Sequence, residues 1–296
     1  MPELPEVETV RRGLEPIMQG ATIIDADQNR PDLRFPFSDD FVERIKNCKI
    51  IEIKRRSKYL IFVLDNGLTI VSHLGMSGSF RIIDDENEQQ PGEFTHEKPK
   101  DGKHDHFVFY LNNGGHLAKV IYNDPRRFGF MLLIPLNELE EHAYFKDMGP
   151  EPTGNGVSAE YLAQKLKSKS APMKSVLLDQ KIIAGLGNIY VCEALWRARI
   201  SPQRKGSTLV TKSGKPSAKL SLLTTHIHDV IADAINAGGS TLNDHIQTDG
   251  KMGYFQHQFN AYGQEDKNCQ HENCSGVIAR ITQSGRSSFY CPKCQT

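Results

Sequence analysis

The chain opens MPELPEVE, with a proline at position 2 and glutamates at 3, 6 and 8. Methionine is removed when the next residue is small, and Pro2 then presents a secondary amine. Attack of such an amine on a sugar C1′ gives an iminium with no N–H proton to shed, so the cation persists as an electron sink. Glu3 lies within reach as a general acid and base, and Glu6, one helical turn on, could position the amine. The same residues also fit an ordinary helix start with a frayed end, and the pair by itself does not choose.

A second chemistry lies in the tail. Cys269 and Cys274 flank four residues, sixteen more lead to Cys291, and Cys294 closes a CxxC pair. Four thiolates in two knuckles match a tetrahedral structural zinc site with no open position for catalysis, a disulfide pair being the alternative. Cys48 and Cys192 stand among apolar neighbours and read as core. RITQSGRSSFYC reads as a hairpin with Arg286 near its turn, where a cation reaches a phosphate or stays solvated.

Three further stretches carry chemistry only in context. GLGN before a helix offers backbone amides and the Asn188 side chain at a positive helix end, which suits a phosphate but is also plain helix punctuation. HLGMSG and NDPRRFG are turns that place Met76, Arg126 and Phe128 at loop tips, as wedges between base pairs or as packing against their own sandwich. KRRSKYL puts four cations in five positions before a strand, a solvated edge unless Lys58 lines a cleft.

These residues need elements to hold them. Pro5 to Ile17 reads as an amphipathic helix with Val7, Val10, Leu14 and Ile17 on one face. Seven strand-length apolar runs follow (IIEI, YLIFVL, LTIVSHL, SFRII, FVFYL, HLAKVIY and FGFMLLI), linked twice by hairpin signals, so an antiparallel sandwich behind a helix is expected. The acidic stretch from Asp84 to Asp105 reads as a surface loop. Pro and Gly cluster at residues 149 to 156, the expected linker. Beyond it SVLLDQ and NIYVCEALWRARI read as helices, and Leu220, Leu223, Ile227, Val230, Ile231 and Ala234 mark a third that ends at Gly238 and Gly239.

Thirty-six Lys and Arg balance thirty-six Asp and Glu over 296 residues, so net charge points to no partner. The local distribution does: Lys165 to Leu220 holds twelve Lys or Arg against two acids, a net of +10, either a solvated face or an electrostatic footprint for phosphates. The charged start and the lack of a membrane-length apolar run lead to the expectation of a soluble, cytoplasmic protein that does not enter membranes. With no long apolar seam left after the core helices, a monomer is expected.

MPELPEVETVRRGL, KRRSKYL, HLGMSGSF, NDPRRFG, LLDQKIIAGLGNIYVCEAL, GGSTLND with DGKMGYFQ, and the four-cysteine tail stand in the order found in formamidopyrimidine DNA glycosylases, which the chain resembles over nearly its whole length. The resemblance implies an α+β protein in three parts: an N-terminal β-sandwich with a flanking helix over residues 1–148, a helix, two-turn, helix domain over 149–257, and a zinc finger over 258–296, with DNA in the cleft between. It implies Pro2 as nucleophile and Glu3 as acid/base, with Lys58 and Arg286 joining them at the catalytic phosphates and Asn188 contacting the backbone. Met76, Arg126 and Phe128 resemble the wedge that replaces an extruded base. His104, Arg127, Lys174 and Tyr254 are carried over as DNA contacts, and Ser240 to Tyr254 as the mobile loop over the flipped base.

The implied partner is damaged double-stranded DNA. The implied reaction is removal of oxidised purines with β,δ-elimination, one structural zinc ion, and no catalytic metal or nucleotide cofactor. The first knuckle departs from the family, with four intervening residues where two are usual. Leu4 and the RRFG wedge favour the oxidised-purine branch over the endonuclease VIII type, which removes oxidised pyrimidines. A non-catalytic zinc-finger DNA-binding protein is the distant alternative.

Overall fold

Helix α1 (Leu4–Met18) begins where the sequence supplies its own cap: Glu3 and Glu6 form a reciprocal capping box and Pro5 occupies the first turn. Its buried stripe is Val7, Val10, Leu14 and Met18, and the helix runs one residue past the expected Ile17, which packs at the edge of the core. The computed structural model describes residues 2–84, 87–89, 91, 102–240 and 255–296. By contacts the chain divides into two compact units, Met1–Lys146 with Ala237–Tyr254, and Asp147–Asn236 with Phe255–Thr296.

The first unit holds β1 (Thr22–Gln28), α2 (Phe41–Ile45), β2 (Ile50–Arg56), β3 (Tyr59–Leu64), β4 (Leu68–His73), β5 (Ser79–Asp84), β6 (Asn87–Gln89), β7 (Asp105–Asn113), β8 (His116–Asn123) and β9 (Phe130–Pro135). Two antiparallel sheets result, ordered β1-β7-β8-β5-β6 and β2-β3-β4-β9. Their inner faces meet through Phe62, whose ring centroid lies 6.3 Å from Phe80 and 6.4 Å from Phe109. All seven expected strands are present. β1 and α2 are additional, and the acidic stretch expected to be wholly loop contributes β6, paired to β5.

In the second unit α3 (Ala159–Leu166) starts at Ser158, whose hydroxyl accepts the Tyr161 N–H at 3.0 Å. α4 (Met173–Leu177), α5 (Asn188–Arg197) and α6 (Ala218–Asn236) follow, then the hairpin β10 (Ala279–Gln283) and β11 (Arg286–Tyr290). The six apolar positions expected to mark the inner face of α6 are all buried. Glu193 of α5 is buried as well, accepting N–H groups from Asn260, Ala261 and Tyr262 at 3.1, 2.9 and 2.8 Å. Burial pushes its carboxyl upward in pKa while those three donors pull it back.

Candidate functional site

Pro2 and Glu3 are buried at the start of α1. The Glu3 backbone N–H donates to Glu6 Oε2 at 2.9 Å, and Glu6 Oε1 accepts both the backbone N–H and the hydroxyl of Ser240, at 2.8 and 2.9 Å. One carboxylate thus joins the reactive end of the chain to a residue 234 positions later. Ser240 begins the segment expected to cover a flipped base; residues 241–254, Tyr254 among them, lie outside the described residues.

Lys58 sits half-buried between β2 and β3, next to Ser57, which takes a left-handed backbone at φ +56. The His73 imidazole is held down at about 4, by burial first and then by the Lys58 and Arg34 charges. Its Nδ1 accepts the Gly75 N–H at 3.0 Å, so the neutral ring carries its proton on Nε2 and can donate there. The unfolded chain takes up this proton near 6.5 and the folded one near 4, so stability should fall as pH drops through that window, by at most about 3 kcal/mol. Chemical denaturation of wild type and His73→Gln from pH 7.5 to 4 should show the variant losing less.

Met76 and Phe128 are 41% and 43% exposed, and the Arg126 guanidinium lies over the Phe128 ring at 4.9 Å. Together with Arg34, His73 and Arg127 they line a cleft of ≈ 620 Å³. Arg127 is exposed, has φ +54 and reaches Asp32 at 3.6 Å. His104 is half-buried, its ring 6.3 Å from that of His106.

In the second unit the tight turn Ser284-Gly285, with φ +49 and +73, places Arg286 exposed at the first position of β11. Asn188 opens α5, and its Nδ2 donates to the Ser287 carbonyl at 3.1 Å. Lys174, expected as a DNA contact, is 1% exposed, and its ammonium donates to the same carbonyl and to Ser288 Oγ, both at 2.7 Å, which braces the ribbon. Lys174→Met should therefore cost about 1–3 kcal/mol of unfolding free energy. It should also leave the slope of log affinity against log salt intact, whereas loss of a phosphate contact lowers that slope by ~0.9.

The four ligand atoms of Cys269, Cys274, Cys291 and Cys294 lie within 4.8 Å of one another. Cys269 and Cys294 are 3.7 Å apart, as are Cys274 and Cys291, and no disulfide forms. Zinc–sulfur bonds of ~2.3 Å in a tetrahedron give edges of ~3.75 Å, so the thiols fit the ion. Trp196 Nε1–H donates to Cys269 Sγ at 3.4 Å, an outer contact of the kind that orients metal ligands. The lengthened first knuckle has a use: His271 stacks on Trp196 at 3.9 Å and its Nε2 lies 2.8 Å from the Trp196 carbonyl.

Family models match along the chain: the formamidopyrimidine-DNA glycosylase N-terminal domain at residues 1–131, the H2TH domain of the same enzymes at 148–245, and the zinc finger found in FPG and IleRS at 267–296. Proteins named formamidopyrimidine-DNA glycosylase from Agrobacterium fabrum and Rhizobium johnstonii are 60% identical over 297 residues and 57% over 295, with all of each chain covered. A Lactococcus lactis FPG mutant in complex with a Fapy-dG containing DNA has a TM-score of 0.83 at 32% identity. The Lactococcus lactis enzyme bound non-covalently to AP-site DNA has 0.81 at 31%, and both cover the full length of each chain.

Proposed function

The chain belongs to the formamidopyrimidine-DNA glycosylase family, and on that premise we propose how its own residues carry out base-excision repair. It is a DNA glycosylase and strand-cleaving lyase acting on oxidised purines in duplex DNA. With Met1 removed, Pro2 displaces the damaged base at C1′ and forms the iminium, whose charge acidifies the 2′ proton. Successive β and δ eliminations then cut the strand and leave a one-nucleotide gap. Glu3 protonates and deprotonates the opening sugar. Glu6 holds the Glu3 backbone, and the capping box it forms there supports this reading most directly.

Lys58, Asn188 and Arg286 neutralise phosphates near the lesion, and His104 and Arg127 add backbone contacts. Met76, Arg126 and Phe128 fill the space left by the extruded base, a role that suits two apolar side chains kept exposed beside a cation. The four cysteines would hold a single zinc ion that stabilises the ribbon and takes no part in the chemistry. Among the described residues no helix is long and apolar enough to cross a membrane. A monomer working in the bacterial cytoplasm fits this reading.

Single-turnover excision from duplexes carrying 8-oxoguanine, formamidopyrimidine or thymine glycol tests the substrate class. The two purine lesions should be released fastest; preference for thymine glycol would place the chain in the oxidised-pyrimidine branch.

A further inference from the structure

One buried carboxylate ties together the two loops that carry Met76, Arg126 and Phe128. Asp124 follows β8 and is 0% exposed. Its Oδ1 accepts the Ser77 hydroxyl from the first loop, and Ser77 Oγ in turn accepts the Arg126 N–H from the second at 3.1 Å. Its Oδ2 accepts the Gly129 N–H at 2.8 Å and the Tyr122 hydroxyl at 3.4 Å. The backbone is held too: the Asp124 N–H donates to the His104 carbonyl at 3.1 Å, and its own carbonyl accepts the Arg127 N–H at 3.2 Å and lies 2.9 Å from His106 Nε2. Tyr122 is kept as a donor, because burial and the Asp124 charge push its hydroxyl well above its ordinary range.

The same place is sterically closed. A Cβ at Gly75 would collide with the backbone of Phe128 and Gly129, and one at Gly129 with the Tyr122 hydroxyl, so the loops pack backbone against backbone. Exposed apolar side chains on slack loops would fold back onto their own surface. Here the N–H groups on either side of Phe128, from Arg127 and Gly129, donate to Asp124, and the Ser77 hydroxyl immediately after Met76 joins the Arg126 N–H to the same residue.

We propose that Asp124 is a positioning residue for base extrusion, clamping the HLGMSG and NDPRRFG loops in the geometry in which Met76, Arg126 and Phe128 enter the duplex. A wedge must hold its shape while base pairs unstack around it, and a preformed one avoids an ordering cost at every encounter. The proposal rests on the reading of those three residues as the wedge. It adds Asp124 and Ser77, both buried, which act through the loops they hold.

Asp124→Asn turns one acceptor into a donor facing the Ser77 hydroxyl or the Gly129 N–H. Ser77→Ala removes the link to Arg126 and leaves the charge in place. The measurement compares single-turnover excision of 8-oxoguanine from a duplex, which needs the base extruded, with cleavage at a preformed abasic site, which has no base to unstack. Protein is quantified by its borohydride-trappable fraction, so partial misfolding cancels. Asp124→Asn should lower the lesion rate about 10- to 100-fold and Ser77→Ala by a smaller factor, with abasic-site cleavage within about twofold of wild type. Equal losses on both substrates, or no loss in either variant, would overturn the proposal; should Asp124→Asn not fold, Ser77→Ala decides alone. A Met76, Arg126 and Phe128 triple alanine variant run in parallel separates the two ideas. If it slows lesion excision while the Asp124 and Ser77 variants do not, the wedge stands and the clamp fails; if it excises at the wild-type rate, the wedge reading itself is wrong.

Discussion

Glu3→Gln is expected to slow release of an oxidised purine by ~10²–10⁴-fold, the range that a positioned acid/base supplies. The substitution is nearly isosteric, and glutamine can still accept the Glu6 backbone N–H, so the capping box and the buried start of α1 should survive. The Pro2 amine is untouched. Iminium formation at a preformed abasic site should therefore persist, and the defect should appear in the chemical step rather than in DNA affinity. Single-turnover excision set against borohydride trapping on abasic DNA makes the comparison, and a Glu3→Gln enzyme releasing base at full rate would contradict the assigned role.

Loss of the metal should act on the other half of the reaction. Cys291 is fully buried among the four thiols, and replacing it by serine removes one thiolate from a site whose binding energy is folding energy. The ribbon carries Arg286 and supplies the Ser287 carbonyl to which Asn188 and Lys174 donate, so its unfolding withdraws one proposed phosphate contact and unseats another. Duplex affinity should fall on the order of 10- to 100-fold in Cys291→Ser or after chelation. Pro2 and Glu3 lie in the first unit, so abasic-site trapping should return at saturating protein. Undiminished affinity in the metal-free protein would show that the ribbon is not needed for binding.

Features written in local spacing were legible before any coordinates. The strands of the sandwich are strand-length apolar runs set apart by turn residues, the inner face of α6 recurs at three and four, and the zinc ligands sit in two closely spaced pairs. β1 escaped notice because Asp25 and Asp27 interrupt its apolar run and only Ile23 and Ala26 among its residues are buried. The short α3 lies between the expected linker and the basic block, where the sequence suggests no element apart from Ser158, a helix-start residue.

The hydrogen-bonded carboxylates and the buried ammonium were harder. Lys174 enters as a DNA contact by resemblance alone, and nothing in its local sequence signals its burial. Its partners, 113 and 114 positions away, exist only once the ribbon docks. Asp124 read as part of a turn, with no local sign that Ser77, 47 positions earlier, would donate to it. Glu193 likewise sat inside an apolar helix without announcing the three N–H groups that meet it.

The central claim is that the amine of Pro2 forms the covalent bond to DNA. Borohydride reduction during turnover on an 8-oxoguanine duplex, followed by proteolysis and peptide mapping of the crosslink, tests it in one measurement. The account predicts that the adduct maps to the peptide beginning at Pro2, and that protein retaining Met1 gives none. A crosslink on a lysine, or undiminished trapping by the Met1-retaining protein, would contradict it.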